Sequence, residues 1–180
     1  MNEFDNFCSE LLEQAKQFLE KARTEKKPYG QKAYRHACLL ITICSLEAYI
    51  NGISEEITLA HGFPLQLKGV LLEKKVRLNK GVFEITNNLM MSRLTEKIEI
   101  LYKRYCKKNL TDSEIWWSVL QNGIDIRNKL THPKEKVELT DEFLKKLLES
   151  TLECLSTLYK GIYKTSFPKN KLGLYSKHDF

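Results

Sequence analysis

A chain of 180 residues, 42% hydrophobic and 29% charged, is long enough for one domain with a useful core and too apolar to remain disordered. Eight glycines and four prolines are too few for an all-β chain full of tight turns. The formal net charge of +6 suits a polyanionic partner without requiring one.

In chain order, Phe4, Phe7, Leu11, Ala15, Phe18 and Ala22 recur at helical spacing with charges between them, and predict an amphipathic helix over about 3–24. "RTEKKPYG" breaks it with charge, Pro28 and Gly30. A second, more apolar helix over roughly 30–60 reads as central. Ala37, Ile41, Cys44 and Ala48 form one stripe, and Leu40, Ile43, Glu47 and Ile50 its neighbour. "AHGFP" stops this helix: His61 suits a cap, Gly62 the left-handed conformation, and Pro64 prevents continuation. Residues 65–90 leave two readings open, a short helix at "LQLKGVLLEKKVRL" and either state at "GVFEI".

"SRLTEKIEILYKRYC" predicts a helix over about 93–106, with Ser92 as N-cap and Leu94, Ile98, Leu101 and Tyr105 on one face. In "TDSEIWWSVLQNGIDIRNKLTHP", Thr111 and Glu114 have capping-box spacing. Ile115, Val119, Ile126 and Leu130 give the apolar stripe, and Gly123 weakens the middle. Trp116 and Trp117 point about 100° apart, so one joins the core and the other faces a dimer partner or a base. Thr140 or Asp141 caps a last helix over about 141–164, with Leu144, Leu147, Leu148, Leu155, Leu158 and Ile162 on its face. The expected fold is all-α, a single up-and-down bundle of about five to six helices over 1–164, followed by an irregular tail over 165–180.

The five cysteines are odd in number and form no C-x-x-C pair. Cys38, Cys44 and Cys154 sit in apolar helical runs and read as buried reduced thiols. "MNEFDNF" lacks the basic and apolar regions of a signal peptide, and "ACLLITICSLEAYI" carries Glu47 and is too short to span a bilayer. The expectation is a cytoplasmic chain with no membrane partner. No histidines or cysteines have metal-ligand spacing, and no P-loop, dinucleotide fingerprint or G-x-S-x-G occurs, so neither metal nor cofactor is expected. His36 reads as a surface or satisfied histidine, and His178 falls in the tail.

The distinctive stretch is "DIRNKLTHP". On an unbroken helix Arg127 and His132 would lie about 140° apart. Pro133 disfavours the α conformation at His132, so the helix should end at Thr131 or His132 and free the imidazole to swing back. Histidine moves protons near neutral pH, arginine offers a planar fork to phosphate oxygens, and Asn128 can orient either. That set suits metal-free RNA cleavage by 2′-OH attack, with two copies across a dimer axis supplying two of each group. An ordinary capped helix end carries the same residue types. Glu47, a carboxylate on an apolar stripe, either pairs with Arg127 or orients His132 across the bundle, or sits at a partly wet edge of that stripe. "KKVRLNK" (74–80) and "KRYCKK" (103–108) read as solvated helix faces or as basic flanks of an RNA site.

"RNKLTH" resembles the R-x4–6-H motif of the HEPN superfamily, the higher eukaryotes and prokaryotes nucleotide-binding domains, including the asparagine after the arginine. "CSLEAYINGISEEI" is similar to that family's acidic core helix, and "RLTEKIEIL" to the lysine-bearing helix before the motif, so the resemblance covers roughly 30–160. It implies a bundle that dimerises through the motif helices. It also implies metal-independent endoribonuclease activity in a toxin–antitoxin or antiviral setting, with RNA as substrate and an antitoxin or other regulatory protein as partner. Arg127 and His132 would then be catalytic, with Asn128 and Glu47 supporting. Members regulated by tyrosine modification carry tyrosine two residues after the histidine; Lys134 stands there. Other members are inactive modules that bind RNA, a nucleotide or a protein, and that alternative stays open.

Overall fold

The computed structural model describes residues 3–110, 114–132 and 136–176. Thr111 of the expected capping box, Pro133, Lys134, His178 and the side chain of Phe4 lie outside the described residues. Six α-helices and one hairpin follow in order: α1 (Glu3–Thr24), α2 (Pro28–Thr58), α3 (Leu65–Leu71), β1 (Lys74–Asn79), β2 (Val82–Leu89), α4 (Leu94–Cys106), α5 (Ile115–Thr131) and α6 (Asp141–Tyr163). A 3-10 turn at Asn170–Leu172 comes last.

Local chemistry sets the ends. Pro28 opens α2 at a position where a missing N–H is harmless. Thr140 Oγ1 accepts from Phe143 N at 3.2 Å and caps α6. At α4, Arg93 rather than Ser92 occupies the cap, and Glu96 Oε2 accepts from Arg93 N at 3.0 Å. The helix α2 is also longer than its most apolar run: by length and composition it could cross a membrane. In this fold it is the core helix, burying Leu39, Ile43, Leu46, Ile50 and Ile53. α1 packs along it, and α2 and α6 form the central pair that α1, α4 and α5 cover.

α5 turns a different face inward from the one its spacing suggests. α1 and α2 bury part of the expected stripes, Ala15 and Ala22 on the first and Ile43 and Ile50 on the second, with the buried face rotated about the axis. α1 buries Cys8, Leu12, Ala15, Leu19 and Ala22, leaving Phe7 about half exposed. On α2, Cys44 is exposed and Ala37, Ile41 and Ala48 only half-buried, because that helix is apolar around most of its circumference. On α5 the buried residues are Trp117, Leu120, Gly123 and Ile124. A Cβ at Gly123 would collide with Leu147 Cδ1 of α6, so the glycine that weakens the helix is what lets the two helices approach.

The all-α expectation needs a correction over 74–89. β1 and β2 pair antiparallel, with Val76 opposite Ile85 and Leu78 opposite Phe83. Lys80 (φ 47°) and Gly81 (φ 82°) make the two-residue turn, both with the positive φ that matches strand twist. The C-terminal stretch is irregular but packed: Phe167 is 1% exposed and meets the rings of Tyr49 and Tyr159 at 5.3 and 5.0 Å.

Candidate functional site

Because α5 turns Trp117, Leu120 and Ile124 inward, its second apolar stripe lies at the edge of the core, and only Ile115 of that stripe is open to solvent. Ile115 is 80% exposed, while Val119, Ile126 and Leu130 are half-buried. Trp116 lies 6.0 Å from Tyr102 and lines a surface groove with Ile115 and Val119, so the tandem tryptophans split between core and rim.

Arg127 sits on this helix where it meets α2. Its Nη2 is 3.6 Å from Glu47 Oε2, with the two side chains 27% and 42% exposed. That separation exceeds the roughly 2.7–2.9 Å of a charge-assisted hydrogen bond, so the pair is loose. Arg127 Nε is buried without a hydrogen-bond partner among the described residues. The guanidinium therefore lies near one carboxylate without a close hydrogen bond to it, and donors other than the buried Nε remain uncommitted among the described residues.

Both residues line a cleft of about 620 Å³. Asn128 and Asp125 share that wall, and Ser92, Arg93 and Leu94 close it from the start of α4. Two arginines and two carboxylates leave the cleft formally balanced, while the first amides of α4 add a positive dipole end.

α5 stops at Thr131, and His132 leaves the helical region at φ −124°, ψ 70°. Its N–H donates to Asn128 O at 2.9 Å. Thr131 Oγ1 donates to the carbonyls of Arg127 and Asn128 at 3.0 and 3.2 Å, which closes the last turn. The His132 side chain is exposed and is not among the residues lining the cleft. Within one chain, then, Glu47, Arg127 and Asn128 come together, and the imidazole stands at the helix end towards solvent.

The remaining candidates separate. His36 is half-buried with Nε2 unpartnered among the described residues; burial and the nearby Lys32 pull its pKa below the usual histidine value. His61 is exposed in the turn after α2. Burial pushes the Cys38 thiol up to about 12 and raises Cys154 as well, so both are inert thiols, whereas Cys44 is open to solvent. No group of metal-ligating side chains occurs among the described residues.

A second cleft, of about 610 Å³, lies between α2, α3 and the hairpin, and sequence reading missed it. Lys97 reaches it with its side chain 4% exposed, 3.0 Å from Glu73 Oε1 and 2.8 Å from Asn51 Oδ1. Glu73 holds a left-handed backbone (φ 55°), and its carbonyl accepts from Met90 N at 2.8 Å. The legible signal was Lys97 itself, which lies beside Leu94, Ile98 and Leu101 on the apolar face of α4. Asn51 is one turn beyond Glu47 on α2, so one polar stripe of that helix serves both clefts.

No family model, curated protein or solved structure matches the chain.

Proposed function

We propose that this protein is a metal-independent endoribonuclease of the HEPN type, with its site completed across a homodimer, acting in the cytoplasm in a toxin–antitoxin or antiviral setting. The observation that carries the reading is the state of Arg127: near Glu47, beside Asn128, with donors to spare, on a helix that ends at an exposed His132. The exposed Ile115, with the half-buried Val119, Ile126 and Leu130 on the same stripe, supports pairing through α5, and in the proposed dimer the His132 of one protomer would serve the Arg127 cleft of its partner.

In this reaction the imidazole takes the 2′-OH proton as O2′ attacks phosphorus. The bond to O5′ breaks, and the second histidine, protonated, gives that oxygen its proton. Arg127 and Asn128 hold the charge that grows on the non-bridging oxygens. Products are a 2′,3′-cyclic phosphate and a 5′-hydroxyl, and no oxidant or metal enters the balance. A regulatory or antitoxin protein would act by covering the α5 face.

A non-catalytic module that binds RNA, a nucleotide or a protein is the second reading. It is favoured by the position of His132 outside the cleft and by the cleft's balanced charge. The deciding experiment incubates wild-type and His132→Ala protein with mixed cellular RNA in EDTA and analyses the fragment ends. Cleavage by wild type alone, leaving cyclic phosphate, is the expected result. RNA bound and never cut would establish the second reading instead, and undiminished cutting by His132→Ala would remove the histidine from the mechanism.

A further inference from the structure

β1 and β2 carry apolar and basic side chains outward in a way that core packing does not explain. Paired residues of an antiparallel ribbon point to the same face. On one face Val76 and Ile85 turn to the body, where Val76 abuts Gly69 of α3 and Ile85 lines the second cleft. Further out on that face Leu78 and Phe83 stand 62% and 55% exposed. Val82, Leu89 and Met91 are exposed as well. Between 74 and 91 the cations Lys74, Lys75, Arg77 and Lys80 meet one acid, Glu84. Arg77 and Asn79 already hold that acid, at 2.6 and 3.2 Å, which lowers its pKa. Lys74, Lys75 and Lys80 form no ion pair among the described residues.

The ribbon also leads somewhere. β2 ends at Leu89, and Met91, Ser92 and Arg93 continue directly into the wall of the Arg127 cleft. The cations are strung from Lys80 at the turn, through Lys75 and Lys74, to Arg93 and Arg127, with Lys68 flanking in the second cleft. At about 3.3 Å per residue, a strand of this length covers more than 20 Å. Lys74 shares the face of Leu78 and Phe83, Lys75 lies on the opposite face with Arg77, and Lys80 sits in the turn. Amines without ion pairs among the described residues therefore lie on both faces of a ribbon only two strands wide that also exposes an aromatic ring. This set complements a flexible polyanion that carries flat bases.

We propose that residues 74–91 form the track along which single-stranded RNA reaches the Arg127 cleft, with Phe83 stacking on a base and Lys74, Lys75 and Lys80 holding phosphates. The proposal rests on the ribonuclease reading of that cleft. A track of this composition is tolerant of sequence, because amines and ring faces read the backbone and the stack rather than base edges.

The test uses the whole chain with His132→Ala, so that the probe stays intact, and a labelled short single-stranded RNA of mixed sequence. Changing Lys74, Lys75 and Lys80 together to Gln should weaken binding at least ten-fold, and should shrink the slope of log affinity against log salt by about two. Phe83→Ala should cost about ten-fold on its own. The matching triple change to Arg should restore binding, which separates loss of charge from loss of fold. Equal RNA binding by the Gln and parent proteins would overturn the track, as would a parent that binds no RNA. A shift from dimer to monomer in the Gln or Phe83→Ala protein, with RNA binding unchanged, would reassign the ribbon to a second copy of the chain. With His132 restored, the ribbon variants should need more RNA for half-maximal cleavage while keeping the saturated rate. RNA held through the ribbon with no cleavage by wild type would end the ribonuclease reading and leave the ribbon a binding surface.

Discussion

Two cation–carboxylate pairs in this molecule are built in opposite ways. Lys16 and Glu13 lie one turn apart on α1, with side chains 0% and 3% exposed and the ammonium 2.9 Å from the carboxylate. Tyr175 O, from the packed C-terminal stretch, accepts from the same ammonium at 3.3 Å. Arg127 and Glu47 come from different helices, stand 3.6 Å apart and remain partly open. The first pair is closed: its charges are spent on each other and on the Tyr175 carbonyl, and its function is to let α1 bury polar atoms. The second is loose, with donors unspent, which is how a site for an outside anion differs from a structural contact. Burial alone would have ranked them the other way round.

The closed pair should fail hardest. Removing one partner of a buried pair leaves the other uncompensated, so Lys16→Ala should lose about 3–5 kcal/mol, read as a fall in the urea midpoint. Arg127→Ala should lose less than about 1 kcal/mol, because its pair is long and partly solvated, while RNA cleavage disappears. If the two variants lost stability equally, the distinction between a closed and an open pair would collapse.

Gly123→Ala sharpens the comparison by moving the open pair without touching it. Alanine is the better helix former by about 1 kcal/mol, so an exposed glycine would gain from the change. Here the new methyl meets Leu147, and overpacking of that kind costs about 1–3 kcal/mol. The net expectation is a modest loss of stability together with reduced cleavage, because α5 must back away from α6 and carry Arg127 with it. A melting temperature above wild type, with cleavage intact, would show that the α5–α6 contact yields easily and does not position the site.

How much of this was legible depended on how many faces of a helix are apolar. α6 has one, so its cap at Thr140 and its buried leucines follow directly from spacing. α1, α2 and α5 carry apolar residues on two faces, and periodicity cannot say which faces inward; that choice is made by neighbours such as Leu147 against Gly123. The hairpin was hidden by its basic composition and by the helical look of "LQLKGVLLEKK", although Lys80–Gly81 between two runs rich in β-branched and aromatic residues was a turn signal. Arg127, Asn128 and His132 were visible as residue types. Their separation into cleft wall and helix end was not, because it follows from where α5 stops and from how it lies on α2. The second cleft is assembled from four separate elements, and only the misplaced lysine at 97 marked it.

The smallest expected effect belongs to a third polar group, which has no carboxylate. His36 Nε2 is buried without a partner among the described residues, and burial together with Lys32 lowers the imidazole pKa below its ordinary 6.5. Its neighbour Arg35 is already committed to Asp141 at 2.6 Å, so that acid is not free to stabilise a proton on the ring. The unfolded chain therefore takes up a proton on His36 before the folded chain does. As pH falls below about 6.5 the unfolded state gains on the folded one, and the contribution is lost as pH drops through the lowered folded value. Above about 6.5 the contribution is constant, since both states are neutral there. A small drop in melting temperature between about pH 7.5 and pH 5.5 should accompany this, and His36→Gln should flatten that part of the profile without affecting cleavage at neutral pH. A profile equally steep in His36→Gln would place the titration elsewhere. Cleavage that fell in the same variant would mean that the Arg35–Asp141 corner of α2 and α6 is coupled to the Arg127 cleft.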